Sequence, residues 1–347
     1  IEDFYNYVLN NFPEENKIKP ELNPWPDAKT SAFCISFNSE GQTVNYNSIL
    51  NFLKAENLPA TFFIDSSLSD EQLKILEGVK NVSLQSQLYS KKDYSESGYS
   101  DITTEIIMNE QKFGKKFTGL RVPFYSTNYW GLLFADENNY IYDSSIGVDH
   151  LTSYTGSVFP YNIPVSHDSY YKTLKLLEIC PVKNNDIVYF QRSEKSEEYT
   201  DDIQRTDAQL FEKYLQDFYD YAVVKNNGLM VYEGSPQYTG FSEITLQPLK
   251  ILADTLKTKN CWMTTLEEVA AFRNKLKFLS VNISESGNDF RLKINLPEQI
   301  NIHGLSFRLR SKPTNVSASG KYDLREINGI YYLITDVKNG DEISIDF

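Results

Sequence analysis

The sequence predicts a parallel α/β domain, a barrel or a doubly wound sheet, followed by a small all-β domain. Three observations lead there. First, Ala32 to Phe37 forms a short apolar run, a helical pattern follows in YNSILNFLKAEN, and ATFFID reads as a second strand. Strand, helix and strand within about thirty residues make a βαβ unit, which pairs its strands in parallel. Second, the β–α alternation repeats as far as residue 273. Third, the rhythm changes near Lys275 to period-two stretches separated by Gly, Asn and Asp turns.

Taken in order, residues 1–20 predict an amphipathic helix around Phe4, Val8, Leu9 and Phe12, ended by Pro13. The apolar run at 32–37 suits a buried parallel strand, and Asn38, Ser39, Glu40 and Gly41 end it. Ile49, Leu50 and Leu53 share one helical face, and Pro59 stops that helix. DEQLKILEGV reads as a helix, NVSLQSQ as a strand and DITTEIIMNEQKFGKK as a helix; FTGLRVP and NYIYDSS read as strand ends. SEKSEEYTDDIQRTD reads as an exposed loop before a long helix, AQLFEKYLQDFYDYAVVKN. GLMVYEG is a strand, LQPLKILADTLKTK a helix, and CWMTTLEEVAAFRNK a strand running into a helix. KFLSVNIS, NDFRLKINL, GLSFRLRS, GIYYLITDV and DEISIDF then form the β-sandwich of residues 276–347. Residues 1–275 form the α/β domain with its N-terminal helical extension, an organisation suited to 347 residues.

Composition narrows the function classes. A formal net charge of −13 gives no electrostatic footprint for nucleic acid or anionic lipid. No apolar run reaches the length of a membrane span, and IEDFYNYVLNNF does not read as a signal peptide. Cys34, Cys180 and Cys261 are widely separated, so neither a disulfide framework nor a zinc knuckle is expected, and Cys34 reads as a small buried hydrophobe. The 24 Tyr and 21 Phe suit sugar recognition, since a tyrosine ring covers apolar C–H faces while its hydroxyl bonds sugar oxygens. Asn81, Asn282 and Asn315 begin glycosylation-type triplets too common by chance to carry weight.

An ordered set of segments resembles the polysaccharide deacetylase (NodB-like) family over residues 25–273. WPDAKTSAFCISFNSEG resembles its opening strand, and ILNFLKAENLPATFFID the next helix and strand. SQLYSKKDYS is similar to its histidine motif, LRVPF to its arginine–proline motif, and YIYDSS to the strand after it. LLEICPV, GLMVYEGSPQ and CWMTTLEEVAAF follow in the family's order. The resemblance implies a distorted (β/α) barrel with its site at the C-terminal ends of the strands, where loops vary on a fixed scaffold. It also implies an exported, cell-envelope setting (extracellular or periplasmic) and a carbohydrate partner.

The family's enzymes hold a metal with one carboxylate and two histidines, which activates water against an acetamide carbonyl, assisted by a general base and a general acid. Carried over residue by residue, the base position holds Asn38 and the metal carboxylate position Ser39. Gln87 and Lys91 replace the histidines in one register, Gln85 and Tyr89 in the other. The late acid position falls at Glu233 or Gly234, and His150, His167 and His303 lie in no matching motif. No metal or other cofactor is therefore expected. Arg121-Val122-Pro123-Phe124 keeps the family pattern, leaving Glu40, Asp143 or Glu233 as candidate partners for Arg121. Asp143 matches a family residue that orients its strand end.

The resulting expectation is a non-catalytic, carbohydrate-binding relative whose candidate contacts are Asn38, Glu40, Gln87, Arg121, Phe124, Tyr125, Asp143 and Glu233. One alternative is a hydrolase with a rebuilt, metal-free carboxylate site at Glu40, Glu233 or Asp143. The other is a structural protein of the cell envelope that docks a protein partner through the C-terminal domain.

Overall fold

The computed structural model describes residues 19–39, 46–150, 156–167, 170–195 and 198–347. The predicted helix within 1–20 and the candidate Glu40 lie outside the described residues. Two compact units emerge, one of residues 30–274 and one combining 275–347 with residues 19–29.

The larger unit is a mixed α/β structure around a nine-stranded sheet. Its centre is β2 (Ser31–Ser39), buried along its whole length, as a strand covered on both faces requires. β2 pairs in parallel with β3 (Ala60–Ile64), with β9 (Leu229–Gly234) and, at its first residues, with β10 (Cys261–Thr264). The sheet continues through β4 (Val82–Ser86), β5 (Gly119–Leu120), β6 (Tyr142–Asp143) and β8 (Tyr170–Glu178). It curls as it goes. Val148 bridges Val182 in parallel, and the Val182 N–H donates to the Val231 carbonyl at 3.0 Å, which returns the circuit to β9.

Helices cover the sheet for reasons written in their sequences. Asn47–Ala55 buries Ile49, Leu50, Phe52 and Leu53, each contributing about 1.5–3 kcal/mol by burial. Asp70–Glu77 begins with a capping box in which Ser69 and Gln72 satisfy each other's backbone N–H groups. The charged segment read as a loop is helical from Asp201, within a helix spanning Asp201–Tyr219. Thr200 supplies the extended residue before the first turn, and Asp201 and Asp202 set negative charge at its N-terminus. An antiparallel pair, β7 (Tyr161–His167) with β8, was not read from the sequence.

In the smaller unit, antiparallel strands β11 (Ser280–Ser286), β12 (Asp289–Asn295), β17 (Glu342–Asp346) and β14 (Asn315–Ala318) form one sheet in that order. β1 (Glu21–Leu22), β13 (Ile302–Leu309), β16 (Ile330–Val337) and β15 (Tyr322–Ile327) form another. Phe290, Leu292 and Ile294 alternate inward along β12, with Ile343 and Ile345 buried on β17. Residues 19–29 belong here rather than with the larger unit. β1 pairs with β13, and the Ala28 N–H donates to Ser306 Oγ at 2.8 Å.

Within the larger unit Gly119 lets a ring occupy the sheet interior, because a Cβ there would stand 2.1 Å from Tyr142 Cζ. Gly119→Ala should therefore cost about 1–3 kcal/mol by overpacking, read as a lowered urea midpoint at unchanged m-value.

Candidate functional site

Successive side chains on a strand point to opposite faces, so Ser36 and Asn38 on β2 share the inward face. Arg121, which follows β5, reaches both. Its Nη1 donates to Asn38 Oδ1 at 3.2 Å and its Nη2 to Ser36 Oγ at 3.0 Å. Nη2 also donates to Ser144 Oγ at 2.8 Å, and Nε to the Ser144 carbonyl at 2.9 Å. The guanidinium carbon lies 4.1 Å from the Phe63 ring centroid. This charge is 1% exposed, and burial of that kind requires hydrogen bonds and a counter-charge. The counter-charge is Glu233 on β9, whose Oε1 is 4.0 Å from Nη1.

Asn38 stands between the two. Its Nδ2 donates to Glu233 Oε1 at 2.9 Å while its Oδ1 accepts from Arg121. Asn185 Nδ2 donates to the same Glu233 oxygen at 3.3 Å, and Tyr125 Oη donates to Glu233 Oε2. Burial, and then the Glu233 charge, push the Tyr125 hydroxyl well above its ordinary pKa, which keeps it a donor.

A pair of acidic residues lies behind the Arg-Val-Pro turn. Asp143 Oδ1 accepts from Ser145 Oγ at 2.8 Å, and Ser145 Oγ accepts from the Val122 N–H at 2.9 Å. Glu178 Oε1 accepts from the Ile146 N–H at 2.9 Å. Both carboxyls are fully buried. Burial raises Asp143, and burial followed by the Asp143 charge holds Glu178 well above the carboxylate range. Asp186 is buried as well, with Oδ2 accepting from the Ser235 and Thr239 N–H groups and from Thr239 Oγ1 at 2.8, 3.0 and 2.6 Å. Burial still pushes its pKa up to about 7.

The sequence candidates thus divide by accessibility. Asn38, Gln87, Arg121, Asp143 and Glu233 are buried, and four of these side chains are engaged in the networks above. Phe124 is 63% exposed and Tyr125 partly so, beside Lys91, whose Nζ is 5.7 Å from the Phe124 centroid. Phe124 and Tyr125 both adopt left-handed backbone, at φ 57° and 55°. In the other register Gln85 turns elsewhere, accepting from the Gly119 N–H and donating to Ser83 and Glu267. His150 packs its ring 5.3 Å from Tyr214 instead of lying free on the surface, and His303 stands in the smaller unit. Glu178, Asn185, Ser36, Ser144 and Asp186 were not singled out from the sequence. Glu178 had a signal, as the one charge inside the apolar run LLEICPV.

Among the described residues the donors do not fit a zinc site. Ser39 Oγ and Gln87 Oε1 are buried without a hydrogen-bond partner, yet both are neutral oxygens. Asn38 is spent on Arg121 and Glu233. Zinc takes thiolate, imidazole and carboxylate ligands, and among the described residues no three His, Cys, Asp or Glu side chains converge.

Two stability predictions follow from these networks. Arg121→Met strands the Glu233 carboxylate and should cost about 3–5 kcal/mol in chemical denaturation, with Arg121→Met/Glu233→Gln recovering part of it. Asp186 binds more protons folded than unfolded. Its contribution is full below its ordinary pKa of 3.8 and is lost as pH rises through about 7. Over that window Asp186→Asn should flatten the stability–pH profile by up to about 1.4 kcal/mol per pH unit.

No family model and no curated protein matches the chain. Among solved structures it is similar to a Mycobacterium smegmatis protein assigned to the polysaccharide deacetylases, at 15% identity and a TM-score of 0.56, covering 78% of this chain and 99% of that one. A chitin deacetylase from the fungal pathogen Colletotrichum lindemuthianum matches at 13% identity and a TM-score of 0.43, over 70% of this chain and 88% of its own. A mutant of a family 4 carbohydrate esterase pseudoenzyme matches at 14% identity and 0.42, over 72% of each chain. The last two scores are too low to bear on this chain. The first likeness shows that the chain has the fold of that Mycobacterium smegmatis protein.

Proposed function

We propose that this chain is a divergent member of the polysaccharide deacetylase family that binds a carbohydrate without zinc-dependent hydrolysis. The observation that carries the proposal is Asn38. At the family's base position it is an amide that cannot take a proton, and both its polar ends are committed to Arg121 and Glu233. The neighbouring Ser39 and Gln87 offer neutral oxygens where a metal would need charged or imidazole ligands. The shared fold and the ordered motifs support the family reading, and the exposed Phe124 ring supports a saccharide as the partner.

The geometry disfavours Glu233 as acid or base in a metal-free hydrolase. It is 1% exposed and its oxygens accept from Asn38, Asn185 and Tyr125. Asp143 is equally enclosed. An exported, cell-envelope setting accompanies the family reading, with residues 276–347 as a docking module. No helix among the described residues is long and apolar enough to cross a membrane.

Calorimetric titration of chelator-treated protein with zinc should show no tight one-to-one site, and a submicromolar site would overturn the proposal. A glycan array should return at least one oligosaccharide ligand. Phe124→Ala should weaken that binding about threefold to tenfold through lost stacking, while the fold remains intact by circular dichroism.

A further inference from the structure

At the opposite end of the parallel strands, where β3 and β4 begin and β10 ends, the larger unit contains a cavity of about 500 Å³. Asn57, Asn81, Ser83, Trp262, Glu267 and Glu268 are among its walls. The wall is built rather than incidental. Trp262 is partly exposed, and its ring is braced edge-on by Phe272 at 5.8 Å. Glu267 is fixed by Ser83 Oγ and Thr118 Oγ1, each donating at 3.0 Å, and by Gln85 Nε2 at 3.3 Å. Asn81 Nδ2 donates to Asn57 Oδ1 at 3.3 Å, and both asparagines hold left-handed turns at φ 68° and 50°.

An indole beside amides, hydroxyls and carboxylates is the chemistry of a sugar site: one ring for a pyranose C–H face and convergent polar atoms for its hydroxyls. The size suits one or two sugar units. Charge narrows the class further. Two carboxylates line this cavity and no Lys or Arg does, so an acidic sugar or a phosphate is disfavoured and an ammonium favoured. Lys115 and Lys116 line a smaller adjoining lobe. That lobe shares Glu267, whose charge also acts on Lys115; Lys115 Nζ donates to the Leu84 carbonyl and Lys116 pairs with Glu110, which leaves Glu268 as the carboxylate without a lysine beside it in the cavity wall.

We propose that this cavity is a second saccharide site, distinct from the Phe124 face, that takes an amino-sugar unit stacked on Trp262 with its ammonium toward Glu268 and Glu267. It stands apart from the contact proposed at Phe124, and each can fail alone. The test is calorimetric titration of the full chain with the β-1,4-linked glucosamine disaccharide, with its N-acetylated form and glucuronic acid as comparators. The expected result is saturable millimolar or tighter binding of the glucosamine disaccharide, at least tenfold weaker in Trp262→Ala and unchanged in Phe124→Ala. Glu268→Gln removes charge while an amide can still cap the turn at Thr265, so it keeps the fold testable. It should weaken the glucosamine disaccharide about threefold and leave the N-acetylated form unaffected. The proposal is overturned by the absence of saturable heat, by binding that survives Trp262→Ala, or by glucuronic acid binding as tightly. Binding lost in Phe124→Ala but kept in Trp262→Ala would place the sugar at Phe124 and equally overturn it.

Discussion

A buried guanidinium organises the C-terminal ends of these strands. Removing a positive charge from water costs several kcal/mol unless hydrogen bonds and an opposite charge replace the solvent. Arg121 obtains its bonds from Ser36, Asn38 and Ser144, residues on β2 and just beyond β6, so its placement ties sequence-distant strands together. The opposite charge arrives indirectly. At 4.0 Å Glu233 is too far for a hydrogen bond to Nη1, and Asn38 fills the intervening role by accepting from one and donating to the other. An aspartate at position 38 would set a second negative charge against Glu233, whereas the amide joins the two ions without one. The amide at position 38 thus lets Glu233 serve as the buried counter-ion.

Support for this centre comes from behind. Asp143 and Glu178 are fully buried and out of reach of any ligand, but Asp143 fixes Ser145, and Ser145 takes the Val122 N–H beside Arg121. Val122 is thereby held where the next residue, Pro123, begins the tight turn through Tyr125. The acidic pair positions; it does not present itself.

Most of the larger unit was legible because its signals are local. β2 and β3 are short apolar runs, the helix of Asn47–Ala55 has a clear apolar face, and Pro59 ends the segment between them. Harder elements had conflicting local signals. In β7, Pro164 argues against a strand, and the structure accommodates it at the sheet edge, where a missing N–H is tolerated. The residues from Asp201 to Asp207 are polar enough to suggest a loop, yet Gln204 and Asp207 are buried and the first-turn acids favour a helix. In the site, motif positions pointed to Asn38, Arg121 and Glu233. Asn185 lies in a loop between elements and joins Glu233 only through the fold, a contact to which no spacing points.

The backbone at Phe124 and Tyr125 distinguishes the part of the centre that can meet a ligand. Consecutive non-glycine residues in the left-handed region cost on the order of 1–3 kcal/mol each and persist where surrounding bonds hold them. Tyr125 is held by Glu233, and Ser126 closes the turn by bonding the Pro123 carbonyl through Oγ while accepting from the Tyr94 N–H. The outcome is a tyrosine turned inward and a phenylalanine turned out. Stability alone favours the reverse, because an exposed ring forfeits roughly 1.5–3 kcal/mol of burial and a tyrosine hydroxyl is content in water. A backbone strained to display an apolar ring is consistent with a role outside stability. In the carbohydrate reading, that role is to offer a flat face to a sugar, while the buried Arg121 network holds the turn in place.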